Sequence, residues 1–299
     1  MSDRPRQQHA SEEQVLPSSR VTAEIAALSH IGHVRDTNED SFAVFRMGRF
    51  IERVSSNVPE SELSSRTEES GHLLMVADGL GGHAAGDIAS RTTLIAALQM
   101  ILRSPRWALK LDDPETRQAE IASMRARALQ YLAGVHEAVR KRAGAGEGLH
   151  GMGTTLVGAY SVGNDLFVIH VGDSRAYLLR DGRLHRLTRD HTLAQSYADQ
   201  GLIPQTEVES HWLGHVLTRA IGTDEKLPES EMSHIDIEDG DSLLLCSGGL
   251  TRMLEESEIV ALLSSRASCE TQCSALVARA LELGGKDNVT VILARYAID

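Results

Sequence analysis

Apolar and polar positions follow different rhythms along this chain. Residues 1–20 are rich in Ser, Gln, Glu and Arg and show no period. Such a stretch cannot bury enough apolar surface to order itself, so a flexible tail is expected there. From Val21 to Leu28, and on through SHIGHVRDTNEDSFAVF, the pattern is extended. Met47–Gly71 is polar again and predicts a loop-like insertion, about 47–71, between two strands. The run HLLMVAD then stops at Asp78 and enters a Gly-rich turn.

Helical spacing takes over at Ala84–Leu102 and Glu115–Arg142, where apolar residues recur every three to four positions. Beyond the glycines of GAGEGLHGMG the rhythm becomes that of strands: TTLVGAYSV, LFVIHVGDS, RAYLLR and RLHRLT. Asn164-Asp165 and Asp181-Gly182 separate these runs, and Asp-Gly between apolar runs is a strong hairpin signal. Leu193–Gly214 is mixed and polar, which suggests a small helical flap over about 192–214. Strands are expected at Met232–Ile237, Ser242–Cys246 and Asn288–Tyr296, and helices at Glu256–Leu263 and Cys269–Leu283. Strands joined by hairpins, with helices in pairs between them, argue for packed antiparallel sheets with helices outside, an α+β fold. No repeat or internal linker divides the chain, so one domain over residues 21–298 is expected.

Composition narrows the function. The 299 residues carry 42 Asp+Glu against 30 Lys+Arg, a formal net charge of -12. That balance argues against the nucleic-acid backbone or an anionic membrane as main partner. No run of about 18 apolar residues occurs, so no membrane span is expected. The N-terminus has no apolar core of a secretory signal, and a cytoplasmic location is the expectation. The 3 cysteines, Cys246, Cys269 and Cys273, form no paired framework and fit a reducing compartment. Cys269 and Cys273 stand one helical turn apart, but no partner pair at zinc spacing lies nearby, so they are read as packing residues.

Aspartates recur at strand ends beside glycine. LLMVAD ends at Asp78, FVIHVGD at Asp173, and GGKD leads into the last strand at Asp287. Carboxylates held on rigid backbone and converging would make an oxygen-only site, suited to Mg²⁺ or Mn²⁺ rather than zinc. A lone Asp-Gly is usually a turn; the joint occurrence carries the reading. The loop Asp78–Gly86 fits neither the Walker nor the dinucleotide pattern.

In order, RDTNED (35–40), DGLGGHAAG (78–86), MGTT (152–155), HVGDSRAYLL (170–179), LTRDH (187–191), LTRAIG (217–222), LLLCSGGLTRML (243–254) and GGKDNVTVI (284–292) resemble the metal-dependent protein phosphatases, the PPM or PP2C-type Ser/Thr phosphatases, in their bacterial branch. The resemblance runs from about Val21 to Tyr296. It implies a central β-sandwich of two antiparallel sheets flanked by helix pairs, in four layers α-β-β-α. It also implies hydrolysis of phosphoserine or phosphothreonine by a water activated between two Mg²⁺ or Mn²⁺ ions, so that no enzyme nucleophile is needed. Carried over by motif, Asp78 would bridge both metals, the Gly79 carbonyl would ligate one and Asp287 the other. Asp40 and Glu39 would hold metal-bound waters, Arg35 would grip the phosphate, and Asp173 would ligate a weaker third metal. The partners implied are phosphorylated Ser/Thr proteins and a cognate Ser/Thr kinase, with the enzyme acting as a monomer.

Two positions depart from the family pattern. Leu80 stands where the animal branch has a histidine acting as general acid, as is common in bacterial relatives, so the leaving-group proton is expected to come from water. His83 is read as a loop-packing or helix-start residue. The larger departure is Ser247-Gly248-Gly249, where the family has Ser-Asp-Gly and its aspartate ligates a metal. Glycine offers no side-chain ligand atom, and Asp241 and Glu255 belong to other turns. Losing that carboxylate should weaken the metal it held by more than the roughly 10–100-fold typical of a supporting group. The sequence therefore supports two readings: a phosphatase impaired at Gly248, or a catalytically inactive relative that binds phosphoproteins or a kinase.

Overall fold

The computed structural model describes residues 21–299 except 60–61, 64, 82–83, 105–110, 112–113, 147, 225–229 and 231. The tail expected over residues 1–20 and the residue His83 lie outside the described residues. The chain forms β1 (Val21–His30), β2 (Asp40–Glu52), β3 (Arg66–Leu80), α1 (Ala84–Arg103) and α2 (Pro114–Gly144). Next come β4 (Gly153–Thr154), β5 (Leu156–Val162), β6 (Asp165–Val171), β7 (Arg175–Arg180), β8 (Arg183–Arg186) and α3 (Leu193–Asp199). The last elements are β9 (Met232–Asp236), β10 (Ser242–Cys246), α4 (Gly248–Thr251), α5 (Glu256–Leu263), α6 (Cys269–Glu282) and β11 (Val289–Ile298). No helix of the described residues is long and apolar enough to cross a membrane.

The strands make two sheets, β1-β11-β10-β7-β8 and β2-β3-β5-β6-β9, and β4 pairs with the end of β3. Every pairing is antiparallel. Because side chains alternate across a strand, each central strand serves two cores at once. Leu74 and Val76 of β3 point inward and meet Leu243, Leu245 and Ile292 of the other sheet. Leu73, Met75 and Ala77 point outward under α1 and α2. Leu244 and Cys246 face outward under α5 and α6, where Cys269 and Cys273 also pack. Burial on both faces is why these strands read as unbroken apolar runs, and the order of layers is α-β-β-α. All three cysteines are buried, and Cys269 and Cys273 are packing residues as the sequence indicated.

One expected element is different. Met47–Gly71 is not an insertion loop: β2 and β3 pair from Asp40↔Asp78 to Glu52↔Arg66, and only the connection between them lies outside strands. The far part of this hairpin projects past the core, so polar side chains suit both of its faces. Arg46–Glu68 at 2.6 Å and Arg49–Glu69 at 2.5 Å link its two strands across solvent. A strand wet on both sides shows no apolar alternation, which removes the signal used to recognise it. A smaller shift occurs between β5 and β6, where Val162 pairs with Asp165 and the turn is Gly163-Asn164. Asp181-Gly182 does make the β7–β8 turn, with φ of 50° and 71°, as a type I′ hairpin requires.

Candidate metal centre

Five chain segments meet at one end of the sandwich: the start of β2, the end of β3, the β6–β7 turn, the β10–α4 junction and the entry to β11. They carry Asp40, Asp78, Asp173, Gly248 and Asp287 respectively. Register alone sets Asp40 beside Asp78 on neighbouring strands. The Asp78 main chain is clamped in place, its N–H donating to Thr155 Oγ1 at 3.0 Å and its carbonyl accepting from Thr154 Oγ1 at 2.9 Å. Gly79 follows so closely under α1 that a Cβ there would lie 2.2 Å from the Gly86 carbonyl oxygen. Only glycine allows that approach.

The loop bearing Arg35 and Glu39 is tied to β11 by Asn288. Its Oδ1 accepts from Glu39 N–H at 2.8 Å, and its Nδ2 donates to the carbonyls of Ile31 at 2.8 Å and Thr37 at 3.0 Å. Arg35 Nε lies 2.8 Å from Asp287 Oδ1, so the expected phosphate-gripping group sits against the cluster. The Glu39 carboxylate lies against Gly86, at the start of α1. Ser247 has the position of a helix cap for α4, yet its Oγ donates instead to Asp40 Oδ2 at 2.7 Å and accepts from Thr290 N–H at 3.0 Å.

The charges crowd one another. Burial pushes the Asp78 carboxyl well above the usual range, and the charges of Asp40 and Asp173 push the same way. Burial likewise moves Asp40 up to about 6, against the lowering effect of hydrogen bonds from Thr290 and Ser247. Asp40 Oδ1 is buried without a hydrogen-bond partner. An orphaned buried oxygen among mutually repelling carboxylates is a place for a cation. The donors are all oxygen, so the Asp40–Asp78–Gly79–Asp287 side fits a hard divalent ion. The side formed by position 248 offers no donor, and Arg252 fills it. Its Nη1 lies 3.3 Å from Asp173 Oδ2, and its Nη2 lies 2.9 Å from Asp287 Oδ2 and 3.9 Å from Asp78 Oδ2. Arg252 stands in the quoted motif LTRML, but no role follows for it from sequence. Its spacing of four from Gly248 is the signal that could have pointed to it, once the stretch is known to be helical. Asp165, His234 and Asp236 converge more tightly at the far end of β6. There Arg117 already bridges Asp165 and Asp236 at 2.7 and 2.6 Å, so that group is an ion-pair network.

Beside the cluster, residues 192–214 fold as α3 and short 3₁₀ turns around a small core of Ala194, Val208 and Leu213. Between them and the acids lies a polar cavity of about 420 Å³, with Asp173, Arg175, His211, Gly248 and Arg252 among its walls. Arg175 is buried and grips Asp190 at 2.8 Å, and it reaches Glu209 of the overlying segment at 3.0 Å. Although burial pushes Asp190 up, Arg175 and Arg186 hold it below the ordinary carboxylate range.

Carboxylates gathered at one end of a four-layer sandwich make a candidate divalent-metal site, and comparison with known proteins specifies the family. The protein phosphatase 2C family profile matches residues 60–282. The serine/threonine phosphatase stp of Listeria welshimeri is 32% identical over 263 residues, covering 88% of this chain and 91% of that protein. Among solved structures, the serine/threonine phosphatase of S. agalactiae superposes with a TM-score of 0.73 at 29% identity, covering 93% of this chain and 100% of that one. The catalytic domain of the serine/threonine protein phosphatase PstP, in complex with two manganese ions, superposes with a TM-score of 0.70 at 30% identity over 93% of this chain and 99% of that one. The chain belongs to the protein phosphatase 2C family, a family of metal-dependent Ser/Thr protein phosphatases.

Proposed function

We propose that the chain hydrolyses phosphoserine and phosphothreonine in proteins at the Asp40–Asp78–Asp287 end of the sandwich, with Mg²⁺ or Mn²⁺ as cofactor. The observation that carries the reading is the convergence of Asp40, Asp173 and Asp287 on Asp78 from separate elements, with Asp40 Oδ1 buried and without a hydrogen-bond partner. When bound, divalent ions would supply an activated water and neutralise charge developing on the phosphoryl oxygens. Asp78, the Gly79 carbonyl and Asp287 would hold them, Asp40 and Glu39 would orient their waters, and Asp173 would face a weaker third ion. Arg35 would leave Asp287 to take the phosphate in its planar fork. Leu80 has no proton to give, so the departing serine or threonine oxygen would take its proton from solvent. The polar cavity under residues 192–214 would receive the substrate peptide. A monomer opposing a cytoplasmic Ser/Thr kinase is the physiological setting that fits.

A second reading has one observation behind it: Gly248 supplies no ligand, and a guanidinium lies where one would point. On that reading the chain binds phosphoproteins or a kinase without turning them over. Phosphate release from a phosphothreonine peptide in millimolar Mn²⁺ separates the two. The phosphatase reading expects turnover that Asp78→Asn abolishes. Tight peptide binding with no turnover, lost in Arg35→Ala, would establish the other.

A further inference from the structure

Gly248 and Gly249 are neighbours with opposite reasons for being glycine. A Cβ on Gly249 would lie 1.9 Å from the Asn288 carbonyl oxygen, a main-chain atom that cannot move aside. A Cβ on Gly248 would meet Cζ, Nη1 and Nη2 of Arg252, each at 2.8 Å, and these are its three nearest atoms. Gly248 has no left-handed φ to require glycine. Its backbone position is therefore open to any residue, provided the guanidinium is elsewhere. Arg252 N–H donates to the Gly248 carbonyl at 3.0 Å, so both residues belong to one helical turn and their register is fixed. From that turn the guanidinium reaches Asp173, Asp287 and Asp78 together. It leaves Asp40 Oδ1 untouched, so one oxygen-lined side of the cluster keeps its demand for a cation.

We propose that Arg252 is a resident cation of this cluster, lying in the place of one divalent ion because position 248 has no side chain, so that the arginine and that ion exclude each other. The proposal rests on the metal-site reading given above. Relative to an aspartate at 248, the site has lost one negative charge and gained access for one positive charge. Full metal loading then requires the guanidinium to swing out into the adjoining cavity, whose wall it already forms.

The test is a cycle of four full-length proteins, wild type, Arg252→Gln, Gly248→Asp and the double variant, titrated with MnCl₂ by calorimetry and melted in EDTA and in Mn²⁺. Arg252→Gln should bind Mn²⁺ at least tenfold more tightly than wild type, or about 1.4 kcal/mol. It should melt lower than wild type in EDTA, where the acids lose their cation, and gain more from Mn²⁺. Gly248→Asp should also tighten Mn²⁺ binding at least tenfold, because it adds a ligand and displaces the guanidinium. In that background Arg252→Gln should add less than threefold. Equal Mn²⁺ affinity in wild type and Arg252→Gln, or an Arg252→Gln effect of the same size in both backgrounds, overturns the proposal. So does the absence of Mn²⁺ binding from all four proteins. If Arg252→Gln does not fold, Arg252→Lys, which keeps a charge but loses the fork, should show the same direction with a smaller change. The cycle is read without substrate. Should it behave as stated while no variant hydrolyses a phosphopeptide, the phosphatase reading falls and the arginine assignment stands.

Discussion

Replacing Asn288 by alanine tests whether one side chain holds the Arg35 loop in place. Asn288 is 5% exposed and makes three hydrogen bonds, to Glu39 N–H and to the carbonyls of Ile31 and Thr37, all between 2.8 and 3.0 Å. At a net contribution of about 1 kcal/mol each, their removal should destabilise the protein by ~3 kcal/mol. An unfolding entropy of about 2.1 cal/mol/K per residue converts this to a melting temperature lower by roughly 5 °C. Calorimetry and urea unfolding with an unchanged m-value would measure it. The loss should be largest locally. The loop keeps His33 N–H on the Gly285 carbonyl at 2.7 Å, while the Glu39 amide has lost its acceptor. Hydrogen exchange at Glu39 should accelerate, and the KM for a phosphopeptide should rise more than kcat falls. A melting temperature within 1 °C of wild type, with unaltered exchange at Glu39, would show that the loop is held by other means.

Gly249→Ala should be severely destabilising, with most of the protein insoluble, because the Asn288 carbonyl stands 1.9 Å from the added carbon; Gly248→Ala should remain soluble and fold, displacing only the tip of Arg252. Soluble yield and melting curves of the two compare them directly. His191 is held far below the ordinary histidine range, at about 3, chiefly by burial, with the charges of His170 and Arg219 acting the same way. Its Nδ1 accepts from Gly172 N–H at 3.1 Å, so the folded state resists the proton that the unfolded chain takes up below 6.5. Its contribution therefore falls as pH drops from 6.5 towards 3, at up to ~1.4 kcal/mol per pH unit. Asp40, raised from 3.8 to about 6, acts with the opposite sign, losing stability as pH rises through that window. The measurement is thus a difference between wild type and His191→Gln in urea midpoint from pH 4 to 7. A gap that does not narrow on acidification would refute the assignment.

Much of this molecule is legible before folding, for a physical reason: its helices and core strands carry strong periods. Ala84–Leu102 and Glu256–Leu263 differ from the helices formed by at most one residue. What the runs do not disclose is direction. LLMVA is uniformly apolar, and only the packing of both sheets shows that Leu74 and Val76 serve one core and Leu73 and Met75 another. The β2–β3 hairpin was illegible beyond Met47 because solvent on both faces erases alternation. Asp78, Asp173 and Asp287 are legible as strand-end aspartates and Asp40 only through the family resemblance of RDTNED; the structure brings the four together. Arg252 was invisible for a different reason. A missing carboxylate at 248 is a local fact, but what fills the space depends on which side chain the fold turns towards it.

The packing of the sulfur atoms has a chemical consequence. Cys246 lies on the strand that leads directly to Gly248, yet it is fully buried, and burial pushes its thiol up to about 12. Cys269 and Cys273, on the buried face of α6, are raised by burial to about 11 and about 12. Since only the thiolate reacts with peroxide or alkylating reagents, none of the three presents a target while the sandwich is intact. On the proposed reading, hydrolysis by a metal-activated water would need no sulfur nucleophile, and the strand leading into the acid cluster would be indifferent to oxidants. Iodoacetamide labelling then reports the opening of the outer helical layer rather than the chemistry at the acids.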